Sequence, residues 1–253
     1  MREPGRAGSA LIVDLIDYWR TYRHQGWRSV LTNLAERLWF DWRHGTDTGL
    51  PMPRGRYQHK PQRFDHGLMY ASSWTSEVGK AFAVTHAYLG ASFESWTFID
   101  IGCGKGKVVM QWRQLGQAHG LEQRCIGIDY YAPLVQIAQA NHQKVFADSG
   151  EFFVLEASAA DFTEWGEQVI AYLYNPFDEV VLATVMQTLV RQRAILIYNN
   201  PVHAKVPITA GFALIHHQRK TFHVNQETMI FASPSCALNR SPIVLVTSES
   251  NRV

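Results

Sequence analysis

Cysteine is scarce in this sequence, and its positions exclude two kinds of structural support. The chain has 253 residues and three cysteines, Cys103, Cys125 and Cys236, none of which belongs to a Cys-x-x-Cys pair. No spacing of cysteines with the eleven histidines matches a metal site. The sequence therefore predicts neither a disulfide framework nor a bound metal, and it favours a reducing, cytoplasmic compartment.

Long apolar runs are also lacking. The apolar segment at residues 11–19 is interrupted by Asp14 and Asp17, whereas a membrane-spanning helix needs about 20 consecutive apolar residues. Arg2 and Arg6 precede this segment, but no uncharged apolar stretch and no clear cleavage site follow them. We therefore expect no membrane span and no secretion signal.

Net charge is low as well, but it is unevenly distributed. The whole chain carries a formal charge of +2. Residues 1–63 hold eleven Arg and Lys against six Asp and Glu, which gives this segment a charge of +5. Two interpretations stay open: the segment meets an anionic partner, or it is the solvated face of a small helical cap.

The same basic segment predicts two helices, at Leu11 to Arg23 and at Trp27 to Trp42. Apolar residues of the second helix share one face, at positions 27, 30, 31, 34, 38 and 42. We expect this stripe to pack against the main domain. Residues 44–67 contain several glycines and prolines and form a long loop, which either covers a ligand or only links the cap to the core.

A glycine-rich turn between a buried strand and a helix is the main functional signal. The apolar run Thr97 to Ile101 stops at Gly102, Gly104 and Gly106, and an apolar pattern with helical spacing follows. Glycine permits positive φ and lets a ligand approach the backbone. The first amides of the helix lack internal partners, so they face whatever binds there. Taken alone, the turn also fits a tight corner without a ligand.

The spacing of these glycines separates two ligand classes. A dinucleotide site of the G-x-G-x-x-G type needs glycine or alanine at position 107, which is Lys107. The stretch from Asp100 to Gly106, DIGCGKG, instead resembles motif I of the class I S-adenosylmethionine (SAM) methyltransferases. By that resemblance the turn, including Cys103, would cradle the methionine part of SAM. Asp100 would organise the turn and the amino end of SAM, whose positive charges suit a carboxylate.

Later strand ends supply further residues of this predicted SAM site. Asp129 closes a second short strand, where an acid can accept hydrogen bonds from both ribose hydroxyls. Tyr130 would flank the adenine. Ser158 stands where related enzymes carry an acid, and its hydroxyl together with the amide of Ala159 would read the adenine edge. Tyr70 resembles a tyrosine that lies over SAM in the family, and a half-buried core aromatic is the alternative.

A second informative segment, Asn175-Pro176-Phe177, follows the fourth predicted strand. It resembles a shortened form of the Asn-Pro-Pro-aromatic segment of amine-methylating class I enzymes. The resemblance implies that the Asn175 oxygen and the Pro176 carbonyl accept hydrogen bonds from the target nitrogen, while the Phe177 ring packs on the acceptor. Simple termination of the strand by proline is the alternative.

Strands and helices alternate regularly from about residue 97 to residue 232. This alternation predicts an α/β fold with a doubly wound, mostly parallel sheet. Phe212 to His217 and Thr228 to Ala232 would form a final antiparallel pair. We divide the chain into an N-terminal helical cap and loop, a SAM-binding methyltransferase domain and a C-terminal tail, at 1–67, 68–233 and 234–253.

Together these features predict a SAM-dependent methyltransferase that transfers a methyl group to an unidentified acceptor, at a nitrogen atom. Two alternatives stay open: a non-catalytic protein of the same fold that binds nucleic acid through its basic segment, and an NAD(P)-dependent oxidoreductase. The acceptor stays open among a protein side chain, a nucleic acid and a small molecule, and no residue stands out as a general base.

Overall fold

A seven-stranded sheet forms the centre of the protein, for which a computed structural model describes residues 6–52, 57, 64–146, 152–220 and 223–237. The strands are β1 (Thr97–Ile101), β2 (Cys125–Asp129), β3 (Phe152–Glu156), β4 (Gln168–Tyr174), β5 (Arg193–Asn199), β6 (Ala213–Gln218) and β7 (Thr228–Ala232). Their order in the sheet is β3-β2-β1-β4-β5-β7-β6. β1 to β5 run parallel, whereas β7 is antiparallel to both neighbours. The predicted fold class and the final antiparallel pair are confirmed.

Helices cover both faces of this sheet. They are α1 (Arg6–His44), α2 (Thr75–Leu89), α3 (Lys107–Ala118), α4 (Ala132–Val145), α5 (Glu179–Leu189), α6 (Lys205–Thr209) and α7 (Pro234–Ala237). Side chains alternate along β1: the ring of Phe98 stacks on Trp112 of α3 at 4.1 Å, whereas Ile99 joins the core that contains Leu182 of α5. Both faces of the strand are therefore buried, which explains its continuous apolar run.

The N-terminal helix α1 bends where the sequence predicts a break between two helices. Gly26 has φ 79° and ψ 172°, which lies outside the helical region, and it divides α1 into two helical segments. No described helix is both long and apolar enough to cross a membrane. The predicted tail, 234–253, falls mostly outside the described residues, and the predicted domain boundaries stay predictions.

Most of the apolar stripe of the second α1 segment faces away from the main domain, contrary to the prediction. Four of its members are exposed, namely Trp27, Leu31, Leu38 and Trp42. The opposite side of the segment is held inward by polar contacts. Ser76 N donates to Glu36 Oε2 at 3.0 Å, and Lys107 Nζ donates to the Glu36 carbonyl at 2.7 Å. These bonds, together with the buried ring of Phe40, fix which face of the helix meets the core.

The turn after α1 is fastened to the glycine-rich turn. The Asp41 carboxylate accepts hydrogen bonds from Thr48 N at 2.8 and 2.9 Å and from Gly49 N at 2.6 Å. Asp47, which lies between Asp41 and Thr48 in the sequence, pairs with Lys105 Nζ at 2.7 Å. Because Lys105 belongs to the glycine-rich turn, α1 and its C-terminal turn contribute directly to the position of that turn.

Candidate active site

A cavity of about 510 Å³ opens at the carboxyl ends of β1, β2 and β4. Strand order reverses between β1 and β4, and open α/β sheets bind their ligands at such a point. The volume lies in the usual range for small-molecule sites. Both segments singled out in the sequence border it: the glycine-rich turn through Gly102 and Cys103, and the end of β4 through Asn175, Pro176 and Phe177.

The backbone of the glycine-rich turn is held by β2. The amides of Gly102 and Cys103 donate to the Ile128 carbonyl at 2.8 and 2.9 Å. The amide of Gly104 donates to Asp129 Oδ2 at 2.9 Å. All three glycines of the turn have positive φ, between 54° and 82°, which only glycine adopts without strain. The turn is thus a fixed surface beneath the cavity.

Two buried acids, Asp100 and Asp129, border the same cavity. Burial raises the pKa of the Asp100 carboxyl to about 8, and the nearby Asp129 carboxylate adds to the rise. Asp100 Oδ2 has no hydrogen-bond partner among the described residues. Burial also raises the pKa of Asp129, to about 6, although hydrogen bonds from the Tyr131, Gly104 and Tyr130 amides oppose the rise. Two acids at one cavity, neither of them paired with a cation in the described part of the chain, favour a cationic ligand.

The segment at the end of β4 touches the glycine-rich turn. A Cβ placed on Gly102 would lie 2.5 Å from Pro176 Cβ, so the proline ring packs directly on the turn. Asn175 has φ 42°, a left-handed conformation that asparagine tolerates better than most residues. Its Oδ1 accepts a hydrogen bond from the Tyr198 hydroxyl at 3.0 Å. A ligand on the turn and a ligand beside Asn175 would therefore be neighbours.

A short strap, His66 to Leu68, runs antiparallel to the same segment. Gly67 and Phe177 form a β-bridge, and Leu68 N donates to the Pro176 carbonyl at 2.9 Å. The sequence had suggested this carbonyl as an acceptor for the target nitrogen. One of its two lone pairs is already used, and one is left. The Phe177 ring is buried and borders the cavity.

The strap brings a histidine–carboxylate pair to the cavity, and the sequence analysis missed it. His66 Nδ1 lies 2.6 Å from Asp178 Oδ2, and His66 borders the cavity. Desolvation raises the pKa of Asp178, but hydrogen bonds from His66 and from the Val181 and Val180 amides outweigh it, so the pKa lies below its ordinary value. An ionised Asp178 carboxylate can only accept a hydrogen bond, so His66 Nδ1 is the donor. In a neutral imidazole the other ring nitrogen, Nε2, is then left as the acceptor.

The relationship of this chain to known proteins is decided by a family model. Residues 92–251 match the model of a methyltransferase domain, which covers more than half of the chain. The chain belongs to this methyltransferase family. The match confirms the predicted enzyme class, the SAM-dependent class I methyltransferases, and SAM as the cofactor.

Solved structures that align with part of this chain include another methyltransferase. Magnesium protoporphyrin IX methyltransferase from Synechocystis PCC 6803 with bound SAH is 16% identical, with a TM-score of 0.46 over 62% of this chain and 82% of that chain. The pyocyanin biosynthetic protein PhzM is 12% identical, with a TM-score of 0.45 over 61% of this chain and 55% of that chain. A comparison with curated proteins found no match.

The cavity has charged groups whose chemistry fits the amino-acid end of SAM. Lys107, which the sequence analysis did not assign to the site, borders the cavity. Its Nζ donates to the Glu36 and Ser73 carbonyls at 2.7 and 3.0 Å, so one of its three N–H bonds is left. Burial lowers the pKa of Lys107 to about 8. A ligand with both an ammonium and a carboxylate matches the spare oxygen of Asp100 and the spare donor of Lys107.

The remaining predicted site residues divide into two groups. Tyr130, Ser158 and Ala159 border the cavity, and Tyr57 of the 44–67 loop borders it as well. Gly106 does not. It precedes α3, and a Cβ placed on it would lie 3.0 Å from Ala138 Cβ, so its place in the fold is the close packing of α3 against α4.

Gly104 also lies beneath the surface of the cavity, because Tyr70 covers it. A Cβ on Gly104 would overlap the Tyr70 ring. That ring cannot swing away cheaply, since Tyr70 is buried and its hydroxyl donates to the Thr48 carbonyl at 2.6 Å. Tyr70 therefore acts as a wall between the glycine-rich turn and the turn after α1.

We expect Gly104→Ala to lower the free energy of unfolding by roughly 3 kcal/mol, because left-handed strain adds to a steric overlap. Gly120→Ala is the matched control: Gly120 has φ +71°, but nothing lies within 4 Å of a Cβ there. It should cost only about 1 kcal/mol. Urea denaturation of both variants measures the difference, and equal losses would show that Tyr70 does not press on Gly104.

Proposed function

We propose that this methyltransferase transfers the methyl group of SAM to a nitrogen atom of its acceptor, inside the cavity at the ends of β1 and β4. The observation that supports this most is the direct packing of Pro176 on Gly102. It puts the segment assigned to the acceptor beside the turn assigned to SAM. In-line transfer needs the two reacting atoms in contact, and positioning supplies much of the rate.

The donor end would be held by the two acids and the lysine. Asp100 would accept from the ammonium of SAM, and Lys107 would donate to its carboxylate. The Asp129 carboxylate accepts amide hydrogen bonds from Gly104, Tyr131 and Tyr130, and an ionised carboxylate has about four acceptor positions. The position that is left suits a ribose hydroxyl.

The adenine would lie between the ends of β2 and β3. Tyr130 would flank its face, while Ser158 and the amide of Ala159 would contact its polar edge. Tyr70, Cys103 and Gly102 would enclose the methionine part. Gly104 and Gly106 would support this surface from below. SAM supplies a methyl group already activated by a positive sulfur, so the chain's residues need only bind, orient and exclude water.

At the acceptor end, Asn175 would orient the nitrogen and His66 would take its proton. Asn175 Oδ1 and the spare lone pair of the Pro176 carbonyl would accept hydrogen bonds from the N–H groups. This aims the nitrogen lone pair at the donor. The Phe177 ring would wall the pocket. His66 Nε2, with Nδ1 held by Asp178, would accept the proton that the nitrogen loses as the N–C bond forms, as a general base does.

Titration calorimetry tests the donor and the role of Asp100 together. We expect SAM and S-adenosylhomocysteine to bind, and NADH not to bind. Since the pKa of Asp100 is about 8 in the free protein, this carboxyl is mostly protonated at neutral pH, and a ligand ammonium beside it favours the ionised form. Binding at about pH 7 should therefore release up to about one proton. At about pH 9 Asp100 is already ionised, whereas Lys107, whose pKa is about 8, is mostly neutral and gains a proton beside the ligand carboxylate, so binding should take up protons there.

The heats in buffers of different ionisation enthalpy give the number of protons. Asp100→Asn should remove the release at neutral pH. SAM binding without proton release would contradict the role of Asp100 alone, whereas binding of NADH in place of SAM would contradict the proposed function. We propose a cytoplasmic location, because Cys103 and Cys125 are buried and form no disulfide.

A further inference from the structure

The outward face of α1 carries an apolar stripe that no described part of the chain covers. The outer stripe is defined by Trp27, Leu31, Ala35, Leu38 and Trp42, all of which are exposed. Trp42 is 76% exposed and Trp27 is 59% exposed. Successive members are four, four, three and four residues apart, so they share one side of the helix. Contiguous exposed apolar surface of this kind marks an interaction site.

Aromatic and basic side chains of α1 are exposed as well. Trp19, Tyr22 and Trp39 are also exposed. The Arg23 guanidinium lies 4.8 Å from the Trp19 ring, and that of Arg28 lies 5.5 Å from the Trp27 ring. The exposed side of α1 therefore combines large amphipathic rings with cations, an arrangement typical of interfacial helices.

The charges on this helix are segregated. Among the side chains described from residue 19 to residue 44, the exposed charged ones are Arg23, Arg28 and Arg43. The two acids of this part, Glu36 and Asp41, are turned inward and accept hydrogen bonds from the main domain and from the following turn. Among the side chains described on this helix, the outer face consequently presents positive charge and apolar surface and no exposed carboxylate.

We propose that the outer stripe docks on an anionic lipid surface, with α1 lying in the plane of the interface. The leucines and tryptophans would enter the boundary of the acyl chains, and the arginines would contact the head groups. A second copy of the chain fits less well, because two-fold pairing would bring the same arginines together. Nucleic acid also fits less well, because the apolar side chains of Leu31 and Leu38 cannot hydrogen-bond to phosphates or to base edges.

Vesicle flotation of the 253-residue chain tests this. We expect binding to mixed phosphatidylcholine and phosphatidylserine vesicles, with a blue shift of tryptophan emission, and about ten-fold weaker binding to phosphatidylcholine alone. Arg28→Gln and Arg43→Gln should each weaken binding about five-fold. Methyl transfer to a soluble acceptor should not change in these variants, so this result is independent of the proposed function.

Leu31→Glu against Ile208→Glu is the decisive comparison. The two side chains are 55% and 54% exposed, but Ile208 lies on α6, away from the outer stripe. Leu31→Glu should weaken vesicle binding at least ten-fold, roughly the cost of moving a charge into the interface, and Ile208→Glu should leave it unchanged. Leu38→Gln serves as a second variant if Leu31→Glu melts early.

Any of four results would overturn the proposal. The first is no vesicle binding by the unmodified protein. The second is a dimer that dissociates in Leu31→Glu while vesicles bind neither form. The third is salt-sensitive retention on nucleic acid without retention on vesicles. Equal loss of vesicle binding in Leu31→Glu and Ile208→Glu would also contradict it, because the effect would then be one of overall charge.

Discussion

Asn175→Gly is expected to lower kcat about 100-fold, the loss typical of a misplaced reacting group, and to leave the Kd for SAM within a few-fold. The amide of Asn175 is assigned to the acceptor alone, so its removal should slow the chemical step without weakening the donor. Glycine is the suitable replacement because residue 175 has φ 42°, which glycine adopts freely. Single-turnover rates and SAM titration give the two quantities.

Two further variants separate the side chain from the backbone. Asn175→Ala should lower kcat as much as Asn175→Gly does. It should also be less stable than Asn175→Gly by about 1 kcal/mol, because alanine is strained at positive φ. Tyr198→Phe removes the hydroxyl that donates to Asn175 Oδ1 and should cost only about ten-fold in kcat, since one positioning hydrogen bond is lost.

Asn200 provides a comparison in the same backbone conformation. It follows β5, has φ 50° and also borders the cavity, but it does not belong to the segment that packs on the glycine-rich turn. Asn200→Gly should cost much less activity than Asn175→Gly. Equal losses, or a loss of SAM affinity in Asn175→Gly that matches the loss of kcat, would contradict the assigned role of Asn175.

The glycine-rich turn and the fold could be predicted from the sequence because their causes are local. Glycine is needed at three alternate positions between β1 and α3, namely 102, 104 and 106, because the chain takes positive φ there. The alternation of apolar strands with amphipathic helices reports burial on both faces of a parallel sheet. The acid that closes β2 meets the turn because parallel strands end at one edge of the sheet.

The orientation of α1 could not be predicted in this way. A helical stripe tells which residues share a side, but it does not tell what that side meets. The inward face was chosen instead by distant contacts, such as Lys107 Nζ on the Glu36 carbonyl. The usual expectation that an apolar stripe is core therefore failed for Trp27 and Trp42, and this failure is what points to a partner surface.

The contacts of the strap, His66 to Leu68, could not be predicted from the sequence for a related reason. His66 and Asp178 are 112 residues apart, and no periodic pattern links them. Their contact depends on the backbone bridge between Gly67 and Phe177. The same strap takes one lone pair of the Pro176 carbonyl, which a motif comparison treats as free. Non-local backbone pairing of single residues leaves no signal in one sequence.

His66→Gln is expected to lower kcat about 100-fold or more at neutral pH, the usual contribution of a general base. The base must be neutral to take a proton, so the rate of the unmodified enzyme should fall on acidification. Glutamine cannot titrate, so this acid limb should be absent from the profile of the variant. A pH–rate profile of kcat for both forms makes the comparison.

Asp178→Asn tests the orienting role of the carboxylate while it keeps the helix cap. Asp178 caps α5, accepting from Val180 N and Val181 N at 3.1 Å, and asparagine is an equally good helix cap. The variant should stay stable yet lose about ten-fold or more in kcat, because Nδ1 is no longer held by a charge. His217→Gln, which breaks a histidine–glutamate contact at 3.1 Å outside the cavity, should leave the profile unchanged.

An acid limb that persists in His66→Gln would show that another group takes the proton, or that the acceptor reaches the site already deprotonated.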